Sequence, residues 1–275
     1  MTAQEMHQET PRRELRSTIE SVVLPFLGSR GEDLQPFQYL LKDISKTGLG
    51  VVLPQWLLSR ERLHPGDLIY FHVPFLLQGQ LLNQGKVAWQ RWSEEDGGQL
   101  AGVSLEGRAV ANYPIQISLD AGELQIDLGR FNSIDNLTWQ IVHDSALLKR
   151  GILIYLRHLE AFFSRVAGFN REDYRVFRET IIADVRNRVQ QNYNYLTQLE
   201  AELAEGMSNN AEVMEKIDID ELRRIMEPEL YIELFDLALG PETSSMYLDS
   251  IKALESRLYA NYNSMVMLYI QSLEL

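Results

Sequence analysis

The hydrophobic periodicity of this chain changes once, and the change divides it. Apolar residues alternate in Ile115, Ile117 and Leu119 and again in Leu124, Ile126 and Leu128, after Asp120-Ala121-Gly122. Period two with an intervening turn is the pattern of a β-hairpin. From Asn132 onward the apolar steps become three and four, as in Tyr247, Ile251, Leu254, Leu258, Tyr262, Met265 and Tyr269. That spacing draws one narrow stripe along a helix, fit for the core of an intramolecular bundle. The chain therefore reads as α+β in two parts, an N-terminal antiparallel β-barrel or sandwich followed by an all-α helical bundle. Residues 1–10 read as a flexible polar tail, 11–130 as the barrel with an added hairpin, and 131–275 as the helical domain.

Within the first part, strand-like stretches recur between Gly, Pro and Asp punctuation. They are Ser17 to Leu27, Phe37 to Leu41, Gly48 to Leu53, Leu68 to Val73, Leu81 to Trp92 and Leu100 to Leu105. Gly28-Ser29-Arg30-Gly31 reads as a turn, as does Ser93 to Gln99. The hairpin of residues 113–129 extends the barrel or bridges the two parts. In the second part, helices are expected from about Asp135 to Val166 and from Asn170, an N-cap residue with Glu172 and Asp173 behind it, towards Gly206. A shorter segment, which Asp218 caps, is broken at Pro228 and closed by Gly240-Pro241. The last helix starts near Thr243.

The formal net charge is −13 over 275 residues. Such a chain repels polyanions, which argues against nucleic-acid and anionic-lipid binding. There is no cysteine, so disulfides, thiolate catalysis and Cys-ligated metals are excluded. Met1 to Thr10 lacks an apolar core, and no apolar run approaches the length of a membrane-spanning helix. A cytoplasmic protein without membrane insertion is expected.

Against that acidic background, a cluster of positive charge stands out. Arg12-Arg13-Glu14-Leu15-Arg16 contains R-x-x-x-R, and strand-like sequence separates it from Asp43-Ile44-Ser45-Lys46-Thr47-Gly48, which reads D-x-S-x-x-G. Arginine presents fixed N–H donors that match a phosphate or the O6/N7 edge of guanine. Asp43 supplies acceptors for the N1–H and N2–H donors of a guanine, Ser45 a hydroxyl, and Gly48 a backbone without a Cβ. The combination points to an anionic, guanine-bearing ligand. Trp89, on a strand of the same barrel, is a candidate to stack on a base.

These residues resemble the signature of the PilZ domain, a receptor for the bacterial second messenger cyclic di-GMP. The resemblance runs over about residues 10 to 107. It takes in Leu63-His64-Pro65-Gly66-Asp67 as a turn, Gly85-Lys86-Val87-Ala88-Trp89 as a strand, and Ala101-Gly102-Val103-Ser104-Leu105 as a closing strand with Leu105 at the usual aromatic. It implies that Arg12 and Arg16 contact phosphate and guanine, and that Asp43, Ser45 and Gly48 hold a guanine from the barrel side. Arg13 lies outside the strict motif and is a further phosphate contact if the segment is extended.

No catalytic constellation accompanies the motif. His7, His64, His72, His143 and His158 form no H-E-x-x-H, Gly48-Leu49-Gly50 lacks the third glycine of a dinucleotide fingerprint, and Asp218-Ile219-Asp220 lacks the oxygen ligands of a calcium loop. The expected protein is a non-enzymatic cyclic di-GMP receptor with no metal and no other cofactor. It passes ligand binding through its helical domain to an unidentified protein partner, and homo-oligomerisation stays open. The alternative is a structural adaptor that binds no ligand.

Overall fold

The computed structural model describes residues 17–18, 25–31, 35–55, 62–107, 115–120, 123–128, 134–165, 175, 177–205, 217–228 and 241–273. The tail at 1–10, residues 19–24 of the strand-like stretch from Ser17 to Leu27 and the cap at Asn170 lie outside these residues.

Among the described residues, nine strands form one sheet: β1 Ser17–Thr18, β2 Phe26–Arg30, β3 Pro36–Ile44, β4 Gly48–Pro54, β5 Leu68–Leu77, β6 Gln80–Ser93, β7 Gly98–Leu105, β8 Gln116–Asp120 and β9 Glu123–Asp127. Pairing runs β2-β3-β4-β7-β6-β5, and β5 returns to β2, so six antiparallel strands close on themselves. Closure removes the open edges of a sheet. The interior is filled by alternate residues, among them Phe37, Tyr39 and Leu41 of β3, Leu49 and Val51 of β4, and Val87 and Val103. Phe26, Phe37, Tyr39, Phe71 and Phe75 form a run of ring contacts with centroids 5.4–5.9 Å apart. The hairpin is present as β8 and β9, and β8 joins the barrel by pairing in parallel with β5 at Phe75–Ile117.

One expectation is corrected. Gly28-Ser29-Arg30, read as a turn, lies within β2 and pairs with β3 and β5. Glycine serves packing there. A Cβ on Gly28 would stand 2.6 Å from the Phe37 ring, so the bare backbone makes room for an aromatic.

Four helices are described beyond the sheet: α1 Ile134–Arg165; α2 Ala183–Glu205, entered through a π-helical turn at Phe177–Ile182; α3 Ile219–Met226; and α4 Pro241–Leu273. Asp218 caps α3, accepting from the N–H groups of Asp220 and Glu221 at 3.0 Å. Pro241 opens α4, where its fixed φ suits the first helical turn. α1 packs between α2 and α4, with ion pairs at the edges, Arg186–Glu160 and Arg257–Asp144 each at 3.0 Å, and a 2.8 Å hydrogen bond between His143 and Glu200. The His143 ring also stacks on Trp139, with ring planes 9° apart.

The stripe expected on α4 is present but too narrow. Every residue from Tyr262 to Leu268 is buried, because this stretch packs on α1 and α3 on one side and on β2 and β5 on the other. The contact with the barrel occupies a seam. β2 and β5 pair only at Ser29–Tyr70 and Arg30–Ile69. β5 also leaves its ladder with β6 between Tyr70 and Phe75, where His72 has a left-handed φ of 54° and Pro74 has no N–H to give. Asn263 of α4 fills the gap. Its amide accepts from the Leu27 N–H at 2.8 Å and donates to the carbonyls of Leu27 and Phe71 at 2.8 and 2.9 Å. Tyr262 donates to the Pro25 carbonyl at 3.0 Å, and the Tyr259 ring meets the edge of His72 at 5.2 Å.

Candidate ligand site on the barrel

The strand register assembles one row across the outer face. Thr18 pairs with Asp43, Asp43 with Gly50, Gly50 with Gly102, and Gly102 with Trp89. The row thus crosses β1, β3, β4, β7 and β6. Its centre is two glycines, and both are covered by their neighbours. A Cβ on Gly50 would lie 2.7 Å from both carboxylate oxygens of Asp43, and a Cβ on Gly102 would overlap the Trp89 indole. A carboxylate and an indole therefore lie against a floor of bare backbone.

Two β-bulges aim these side chains. On β3 the register slips between Leu41 and Asp43, so Lys42 is an extra residue. Leu41 and Ile44 point inward, which leaves Lys42 and Asp43 together on the outside. On β6 the register slips between Val87 and Trp89, and Ala88 and Trp89 share the outer face in the same way. Bulges are a recurring means of re-aiming a side chain beside a site. Trp89 is 37 % exposed, and the Arg91 guanidinium lies 5.9 Å from its ring centroid.

The remaining motif residues have structural duties. Ser45 is buried, and its N–H donates to the Gly48 carbonyl at 2.8 Å. Its hydroxyl donates to the same carbonyl and accepts from the Gly48 N–H, both at 3.1 Å. Together these bonds close the β3–β4 turn. Gly48 pairs with Ser104, and a Cβ there would stand 2.5 Å from the Val103 carbonyl oxygen. Close approach of β4 to β7 demands the glycine. Arg12, Arg13 and Arg16 lie outside the described residues. Ser17, the residue after Arg16, pairs with Ile44, and Thr18 pairs with Asp43.

A network of charge borders the row. Lys42 Nζ donates to both carboxylate oxygens of Asp96, at 2.7 and 2.6 Å, and the Ser93 hydroxyl donates to the same carboxylate at 2.6 Å. Burial alone would raise the Asp96 pKa. Hydrogen bonds from Lys42 and Ser93, with the charges of Lys42 and Arg91, outweigh it and hold the carboxyl below its usual range.

Sequence reasoning missed Gly50, Gly102 and Lys42 as parts of this face. Glycine at an outward position of an apolar strand was the available signal for the first two. For Lys42 none existed, since a bulge is a property of pairing.

Residues 11–113 match the family model of the PilZ domain. The PilZ domain is a cyclic di-GMP receptor family, and the row from Asp43 to Trp89 lies within the matched residues. The PilZ match ends before the hairpin and the four helices. No curated protein and no solved structure matches the chain. No described helix is long and apolar enough to cross a membrane, and no metal-binding cluster occurs among the described residues.

Proposed function

We propose that this chain is a cyclic di-GMP receptor of the bacterial cytoplasm, acting without catalysis. Its barrel takes the ligand on the Asp43–Trp89 face, and its helical region reports the bound state to a protein partner. The PilZ match over residues 11–113 carries this reading. Arg12 and Arg16 grip phosphate and guanine, with Arg13 as a further phosphate contact. Asp43 accepts from the N1–H and N2–H groups of a guanine, and Trp89 stacks on a base. Ser45 and Gly48 shape the turn that presents Asp43. The pairing of Ser17 and Thr18 beside Ile44 and Asp43 supports the arginine assignment, because it anchors the segment that follows Arg16 next to the carboxylate.

The division of labour falls near residue 130, with residues 11–130 holding the ligand and 131–275 answering it. The seam where Asn263 joins β2 and β5 is the physical link between them. A ligand that moves the barrel strands biases the pose of α4, to the extent that it binds the two poses unequally.

Calorimetric titration with cyclic di-GMP is the test. Binding is expected, and Arg12→Ala or Arg16→Ala should weaken it roughly ten- to a hundred-fold. Asp43→Ala should weaken cyclic di-GMP more than cyclic di-AMP, because only guanine offers those donors. A second reading, a ligand-free structural adaptor, is favoured by the engagement of Ser45 and Gly48 in the barrel's own packing. Absence of heat with the wild-type protein would select it.

A further inference from the structure

Two cations, Lys42 beside Asp43 and Arg91 against Trp89, stand at the two ends of the glycine row. Lys42 stands beside Asp43 because of the β3 bulge, and its ammonium holds both oxygens of Asp96. Arg91 lies against Trp89, at the other end of the glycine row, and its charge also acts on Asp96. Asp96 sits on the β6–β7 turn, seated by the Ser93 hydroxyl and by its own N–H to Ser93 Oγ at 3.2 Å. One carboxylate on a short turn thus holds Lys42 and feels the charge of Arg91, and these two cations flank the two candidate base-contacting groups. The motif arginines are not needed for this arrangement.

We infer that Lys42 and Arg91 form a second anion-binding edge of this face, and that Asp96 fills it as a built-in counter-ion which a ligand phosphate displaces. The inference rests on the proposed receptor function and names residues that the motif does not include. The chemistry is exchange of one oxyanion for another. Lys42 keeps an oxygen partner throughout, so its ammonium is not left bare when the turn lets go. The bulged position makes this available, because Lys42 is outside the barrel's alternation and packs no core.

The test compares cyclic di-GMP affinity by calorimetry in the full-length wild type, Lys42→Gln, Asp96→Asn and the double variant, each with a thermal melt. Asparagine keeps an oxygen for the Ser93 hydroxyl while removing the charge. Asp96→Asn should bind about two- to five-fold more tightly than the wild type, and Lys42→Gln more weakly by a similar factor. The gain from Asp96→Asn should shrink in the Lys42→Gln background. Unchanged or weaker binding by Asp96→Asn, with an unchanged melting midpoint, would overturn the inference and leave the receptor reading standing. Should Asp96→Asn melt early, Lys42→Gln decides alone, and unaltered affinity there is the overturning result. Silence from the wild type and Asp96→Asn alike would remove both proposals, whereas binding by Asp96→Asn only would support the counter-ion directly.

Discussion

Leu27 of β2 and Asn263 of α4 exchange two hydrogen bonds at 2.8 Å, one in each direction. The side-chain amide treats the strand as a neighbouring strand would. It stands where β2 and β5 part company, and its third bond, to the Phe71 carbonyl, reaches the other side of the gap. A helix from the far end of the chain therefore completes the ladder of the barrel.

Asn263→Ala would strand a buried N–H and two buried carbonyls. A loss of about 2–4 kcal/mol is expected, at the upper end for a single hydrogen-bonding residue because several backbone groups are orphaned together. Urea unfolding measures it. Loss of both β-sheet and helix signals in one transition would show that the seam couples the two parts, while a barrel that melts separately would contradict that role.

His72 makes the same seam sensitive to acid. Burial lowers its pKa from 6.5 to about 3, and its Nε2 shares a 2.6 Å hydrogen bond with the Ser29 hydroxyl. The unfolded chain takes up a proton below about pH 6.5 that the folded chain refuses. Stability is therefore full above that pH and falls as the pH drops towards 3, by about 1.4 kcal/mol per unit. His72→Asn suits the left-handed backbone and removes the titration. The difference between wild type and variant, followed by urea midpoints at pH 7 and pH 5, should change by about 2 kcal/mol; a constant difference would rule out the histidine as the source.

Two glycines of the candidate face should answer differently to alanine. Gly48→Ala drives a Cβ against the Val103 carbonyl and should cost about 1–3 kcal/mol of stability with or without ligand. Gly50→Ala meets the movable carboxylate of Asp43 instead. It should spare most of the stability and lower the affinity for cyclic di-GMP. Melting curves and titrations on both variants separate the two, and equal effects would dissolve the distinction.

Among the helices, Lys252 and Glu255 pair at 3.0 Å while only 2 % and 1 % exposed. Removing one charge of a buried pair leaves the other poorly solvated. Glu255→Gln should thus destabilise by about 3 kcal/mol, and replacing both residues by leucine should recover much of the loss. Thermal denaturation of the single and double variants checks this, and a double variant as unstable as the single one would contradict it.

The barrel strands and the hairpin were legible because alternation and turn residues are local signals. Asp43 was legible through its motif. β2 was misread at Gly28-Ser29-Arg30, since glycine and serine make turns more often than they make room for a Phe37 ring. The return of β5 to β2 and the use of Asn263 to bridge them had no local signature. Residues separated by 236 positions meet there. The bulges at Lys42 and Ala88 were equally silent, although they decide which side chains share the candidate face. The full burial of α4 after Tyr262 came from its second partner, the barrel, which a helical period cannot announce.

The bulge on β3 has a further consequence. Strike out Lys42, and Leu41, Asp43 and Ile44 would still alternate inward, outward and inward. Ala88 stands in the same relation to Val87 and Trp89 on β6. Each strand thus carries one surplus stitch that the weave does not need, at the two margins of the glycine floor. Residue 42 or 88 is free to change its chemistry without unpicking the fabric, so the border of this face is open to selection while the core beneath it stays fixed.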